Sequence, residues 1–139
     1  MKYYLLIQLL SNSYLCSVIL ITQFITYPSF YNIDKETFIY HHKKYVDSIS
    51  LIVAPIMLVE LFSLIMIVYL TNDFTYIKCL IFLLCIWLIT FIIIVPLHNK
   101  LSKRLDHIEI KRLINYNWIR TFLWLSKLIV IIFVSYEKF

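Results

Sequence analysis

Cys79-Leu80-Ile81-Phe82-Leu83-Leu84-Cys85-Ile86-Trp87-Leu88-Ile89-Thr90-Phe91-Ile92-Ile93-Ile94-Val95-Pro96-Leu97 contains one ordinary polar side chain, Thr90. A helix needs about 20 apolar residues to cross a hydrocarbon core, and this stretch, extended back to Tyr76, supplies them. Three further runs have the same length and character, giving predicted spans at about 3–28, 46–70, 76–97 and 117–135. Barrel strands would alternate apolar and polar residues in short segments, and none of the four runs does. Hydrophobic residues make up 62% of the chain and charged ones 15%, well under the roughly 25% charged residues of an ordinary soluble domain. The expectation is an all-α integral membrane protein: one transmembrane domain over residues 1–139, built as a four-transmembrane-helix bundle.

The connections set the orientation. Segment 29–45 carries Lys35, Lys43 and Lys44, and segment 100–113 carries Lys100, Lys103, Arg104, Lys111 and Arg112. The opposite side has only Lys2, Lys78 and Lys138. Lys and Arg concentrate in cytoplasmic loops, so both basic segments are placed in the cytoplasm and both termini outside it. The net charge of +5 then reflects topology and contact with the anionic headgroups of the lipid bilayer, and no nucleic-acid partner is expected. Leu101, Leu105, Ile108 and Leu113 have helical spacing, which predicts a short amphipathic surface helix between spans three and four.

Local signals refine the outline. The first run is too long for the apolar part of a signal peptide and no A-x-A-like cleavage site follows it, so it reads as a retained span. Asp34, with Thr37 three residues on, is a helix N-cap that starts the second helix near Lys35, and Pro55 is expected to kink it. The chain has no glycine, which excludes glycine-mediated helix contacts, phosphate-cradling loops and dinucleotide fingerprints. Cys16, Cys79 and Cys85 include no C-x-x-C pair and read as structural.

Polar residues inside such spans need a reason to be there. Gln8, Asn12, Cys16, Gln23 and Thr26 stay within about 80° of one another at 100° per residue, a stripe that faces other helices. Counted from Val46, Glu60 lies about 20 Å along span two, and counted from Asn117, Lys127 lies about 15 Å along span four, both measured from the basic side. The two form a candidate buried charge pair, with a protonatable or metal-binding Glu60 as the other reading. At the basic end, His41, His98, Asn99, Asn117 and Arg120 are placed to converge. His41 and Tyr45 share a face at a spacing of four, whereas His42 and His107 read as interfacial residues without a ligand. Two histidines without H-x-x-x-H or E-x-x-H spacing make a weak metal signal, and no metal ligand is assigned. Arg120 needs a carboxylate, a carbonyl or an anionic ligand, and Trp118 and Trp124 flank it as aromatic walls.

Several of these residues recur as motifs: Tyr27-Pro28-Ser29-Phe30, Phe38-x-x-His41, Pro55-x-Met57-x-x-Glu60, Trp87-x-x-Thr90, Val95-Pro96-Leu97-His98-Asn99-x-Leu101 and Asn117-Trp118-Ile119-Arg120-Thr121. In this order they resemble an uncharacterised family of small bacterial four-helix membrane proteins. That family is in turn distantly similar to the anthrone-oxygenase-like membrane proteins, which share a "VPxN…W…N…R" pattern. The resemblance implies oxidation of an aromatic polyketide without a bound cofactor. This chain has His98 where that pattern has asparagine, and Tyr45 where a second histidine is expected.

Three functions stay open on this reading, and with them whether the protein is an enzyme at all. In the first, the bundle binds, and as the resemblance implies oxidises, a lipophilic aromatic or quinone-like molecule. His41 or His98 serves as base, Arg120 and Asn117 steady a developing anion, and Asn99, Trp118, Trp124, Gln23 and Tyr45 line the site. No cofactor is assigned. The alternative is a non-catalytic accessory subunit that packs against other membrane subunits or a second copy of itself. The third is a proton- or ion-handling protein built around Glu60.

Overall fold

The computed structural model describes residues 1–138. The chain forms four helices, α1 (Lys2–Asn32), α2 (Lys35–Thr71), α3 (Phe74–Leu101) and α4 (His107–Lys138), each long and apolar enough to cross a membrane. They run beyond the predicted spans, most of all at the basic end, where α2 begins at Lys35 and α4 at His107.

The turns follow from local chemistry. With no glycine available, the left-handed residue that closes α2 is Asn72 (φ 48°, ψ 29°), whose short amide tolerates that region. Asp73 then caps α3 by accepting the backbone N–H of Thr75 at 2.8 Å. Asp34 stands at the N-cap of α2 as expected, but its side chain makes no capping bond; its backbone carbonyl accepts instead from Thr37 and Phe38.

The amphipathic surface helix predicted between spans three and four is absent. Segment 100–113 is divided between the end of α3, a turn at 102–106 and the first turns of α4. Asp106 causes the division: its carboxylate accepts the backbone N–H groups of Ile108 (2.9 Å) and Glu109 (3.4 Å) and so starts α4 at His107. The four apolar residues consequently do not share a face, Leu101 and Leu113 being buried and Ile108 exposed.

Consecutive helices are antiparallel. α1 packs on α2 and α4, and α3 packs on α4 and, more sparsely, on α2, so α2 and α4 face each other across the bundle axis. The interior divides into three layers. Leu5, Leu64, Ile67, Tyr76, Leu83 and Ile131 fill the end near the termini. Leu15, Cys16, Ile19, Met57, Ile86 and Trp124 fill the middle. Tyr27, Phe30, Phe38, Leu97, Leu101, Ile110 and Leu113 fill the basic end.

Two helices carry a wide π turn, and a proline accounts for each. Pro28 and Pro96 lack an N–H, and their rings would clash with the carbonyls of Phe24 and Ile92, four residues back. Both helices accommodate this by widening: Tyr27 N–H donates to the Thr22 carbonyl in α1 and Val95 N–H to the Thr90 carbonyl in α3, each a five-residue step. In both cases a threonine opens the π segment six residues before the proline. Pro55, expected to kink α2, lies within one continuous α-helical segment.

Candidate functional site

The stripe on α1 turns inward, with Gln8, Asn12, Cys16 and Gln23 buried. Near the middle of the bundle it meets the expected charge pair. Lys127 Nζ donates to Glu60 Oε1 at 2.5 Å, and both side chains are fully buried. The same ammonium donates to Gln8 Oε1 at 3.3 Å. Gln8 in turn donates to the Glu60 backbone carbonyl and, at 2.8 Å, to Ser63 Oγ. Trp124 Nε1 donates to Glu60 Oε2 at 3.3 Å, and Asn12, with its amide oriented to match donors to acceptors, donates to Glu60 Oε1 at 3.2 Å. One ammonium and two neutral donors thus surround this buried carboxylate, as a charge in a low-dielectric interior requires. Glu60 is committed to this network.

Arg120 is one turn from Trp124 on α4, with its guanidinium 5.3 Å from the indole centroid. It is 7% exposed, and its Nε is buried without a hydrogen-bond partner. Among the described residues it takes part in no ion pair. Beside it lies a cavity of about 270 Å³. The polar part of its wall is Arg120, His98, Tyr27, Tyr45, Thr22 and Thr90; Leu15, Ile19, Val53, Met57, Ile94 and Trp124 supply apolar wall. Exposed Ser50 and Ala54 on α2 and exposed Phe91, Val95 and Asn99 on α3 form its rim. The opening therefore lies between α2 and α3, the sparsely packed pair, and faces sideways out of the bundle. The wide turns shape this wall. Thr22 and Thr90 line it, and each of the three prolines directly follows a lining residue, Tyr27, Ala54 or Val95.

Of the residues expected to form the site, His98, Arg120, Tyr45, Asn99 and Trp124 line this cavity. Gln23 and Asn117 do not; they bond to each other between α1 and α4 at 2.7 Å. Trp118 packs edge-on against Phe24 (5.3 Å, 86°) and over Phe122, away from the opening. His41 is exposed beside Tyr40, which corrects the expectation that it joins His98. The inward histidine is His42, fully buried, whose Nε2 lies 3.0 Å from His98 Nδ1. One helical position is a rotation of 100°, enough to reverse the two roles. A signal for His42 was present: it precedes Glu60 by 18 residues, five full turns of 3.6, so an inward Glu60 implies an inward His42. Tyr27 and Ser102 also escaped the reading, and both join the histidines. Tyr27 Oη is 3.1 Å from His98 Nε2, and Ser102 Oγ is 3.4 Å from His42 Nδ1. Phe38 stacks on the His42 ring (5.5 Å, 21°) and Phe30 meets it edge-on, so aromatic carbon surrounds the pair. Among the described residues no three His, Cys, Asp or Glu side chains are grouped to hold a metal ion.

No protein-family model, curated protein or solved structure matches this chain. The fold and the cavity therefore carry the functional argument by themselves: a four-helix bundle with a side opening and an uncompensated arginine within it.

Proposed function

We propose that the chain is an integral membrane protein that takes a lipophilic, ring-bearing molecule from the bilayer through the opening between α2 and α3 and holds its acidic or anionic head group against Arg120. The single observation that carries this reading is the buried guanidinium without a counter-charge. Among the described residues the interior holds two cations, Arg120 and Lys127, and one carboxylate, Glu60, which Lys127 occupies. A buried charge without a partner is costly, and an anionic or strongly polar ligand would supply one. The side opening fits delivery from lipid, and the outer faces fit insertion: Leu10, Phe62, Ile92 and Phe133 are all more than 60% exposed, more apolar surface than a soluble monomer shows. The volume suits a single ring with part of its chain, near the lower bound for small-molecule pockets.

The test uses protein in lipid nanodiscs and a 4-nitrophenol bearing a decyl chain, which absorbs differently as phenol and phenolate. Wild type is expected to bind it as the phenolate. Arg120→Gln is expected to weaken binding about 10- to 100-fold, the worth of a charge-assisted hydrogen bond. Equal affinity in the two proteins refutes the reading. Spin labels at Ser50→Cys and Val95→Cys check the opening: both are expected to relax faster with lipid-soluble oxygen than with a water-soluble nickel complex, and the reverse result places the rim in water.

A further inference from the structure

Resting on the ligand reading above, we infer that Tyr27, His98, His42 and Ser102 form a relay that carries a proton from the head group in the cavity to the turn at 102–106. The four groups make an unbroken series from the cavity wall to that turn: Tyr27 Oη to His98 Nε2 at 3.1 Å, His98 Nδ1 to His42 Nε2 at 3.0 Å, and His42 Nδ1 to Ser102 Oγ at 3.4 Å. They come from α1, α3, α2 and the turn after α3, so the arrangement arises from tertiary packing and not from one helix. Each imidazole uses both ring nitrogens inside the series, and a neutral imidazole has one donor and one acceptor nitrogen.

The polarity of the series follows from its last member. Ser102 has one hydroxyl hydrogen, which it donates to the His98 backbone carbonyl at 2.9 Å. Its contact with His42 is then donated by His42 Nδ1–H. His42 Nε2 is left as an acceptor and takes the hydrogen of His98 Nδ1. His98 Nε2 becomes the next acceptor and takes that of Tyr27 Oη. Both histidines hold the Nδ1–H tautomer, and every hydrogen points from the cavity toward the turn.

This order performs one balanced step. The O–H bond of a weakly acidic head group breaks and its proton passes to Tyr27 Oη while the Tyr27 proton moves to His98 Nε2. The His98 Nδ1 proton moves to His42 Nε2, and the His42 Nδ1 proton leaves past Ser102 to water. Both imidazoles end neutral in the Nε2–H form, and the ligand remains as an anion beside Arg120. A phenol, hydroquinone or enol has an acidity suited to this exchange; an aliphatic alcohol does not. The ionisable groups that face the relay are Tyr45 on α2, whose ring centroid is 6.2 Å from that of His98 and 6.3 Å from that of Tyr27, and Arg120 on α4, which shares the cavity wall with both. Phe30 and Phe38 cover His42, which directs the proton along the series.

The decyl nitrophenol is mixed with nanodisc-embedded protein, phenolate formation is followed optically and proton release by a pH dye in the buffer. His42→Phe is expected to retain wild-type affinity within about twofold and to slow phenolate formation and proton release together by about a hundredfold. Imidazole added to His42→Ala is expected to restore the rate. An unchanged rate in His42→Phe with binding intact overturns the relay and leaves the ligand reading standing; absence of phenolate binding in wild type overturns that reading itself. A measurement free of variants examines the polarity directly: nitrogen NMR of ring-labelled wild type is expected to find Nδ1–H at both His42 and His98, and Nε2–H at either overturns the assignment.

Discussion

Removing one partner of the central ion pair should be far more damaging than removing both. Lys127→Met strips Glu60 of its one cationic donor among the described residues and leaves the carboxylate to Trp124 Nε1 and the Asn12 amide, neutral donors that do not compensate a full charge. Breaking a fully buried pair in this way costs about 3–5 kcal/mol. Glu60→Gln leaves the ammonium with neutral amide oxygens only, Gln8 Oε1 and that of the substituted side chain, and should cost about as much. The double variant contains neither charge, and a buried pair replaced by neutral groups of similar volume is often close to neutral in stability. With two single costs of about 3–5 kcal/mol and a nearly neutral double variant, the thermodynamic cycle should return a coupling of about 6–10 kcal/mol, beyond the roughly 0.5–3 kcal/mol usual for residues in contact. Reversible unfolding in mixed micelles of rising SDS fraction measures this, with tryptophan fluorescence as the signal because Trp124 touches the pair. Single variants that each cost under about 1 kcal/mol would refute the argument, since that is the scale of a solvated surface pair. A double variant as unstable as the sum of the singles would refute it equally.

Arg120→Met should raise the stability of the unliganded protein by about 1–2 kcal/mol in the same assay, because an unsatisfied buried polar group is removed, while abolishing phenolate binding; a loss of stability would mean that the guanidinium is already compensated. Asp73→Ala should destabilise the α2–α3 turn at pH 7. The Thr75 backbone N–H holds the Asp73 carboxyl below its ordinary value of 3.8, so its contribution is present in full above that value and is lost as pH falls through the lower folded one. Thermal unfolding at pH 7 and pH 3 should show the gap between wild type and variant narrowing at the acidic pH, and a gap that widens would contradict the sign.

What could be read from the sequence was whatever depends on run length and depth. Uninterrupted apolar stretches placed the four helices, and counting 1.5 Å per residue brought Glu60 and Lys127 to similar depths. Azimuth was harder. Apolar residues surround α2 on nearly every side, so its pattern carries little phase, and the inward position fell on His42 where His41 was expected. Trp118 and Asn117 were misplaced for the same reason, since α4 offers aromatic and polar groups on several faces and packing selects among them. The surface helix failed on a competing signal: Asp106 caps a helix, which outweighed apolar spacing that continued across it. The π turns were written in the chain as two Thr-to-Pro intervals of equal length, but that pattern acquires meaning only when both segments line one cavity.

The charge inventory links the two polar centres. Trp124 stands between them, its N–H bonded to Glu60 and its ring face toward Arg120. A guanidinium seeks a carboxylate for bidentate pairing, and Glu60 lies just beyond the indole. A smaller residue at position 124 would leave room for the two to approach, and the cavity would then have no unmet charge. By filling that space and occupying Glu60 Oε2, Trp124 keeps the carboxylate with Lys127 and leaves Arg120 to the cavity. Stability alone would favour either an apolar residue at 120 or direct pairing with Glu60. On the ligand reading proposed above, a chain that has neither, and that widens two helices beside the unpaired charge, leaves that charge for a ligand to meet.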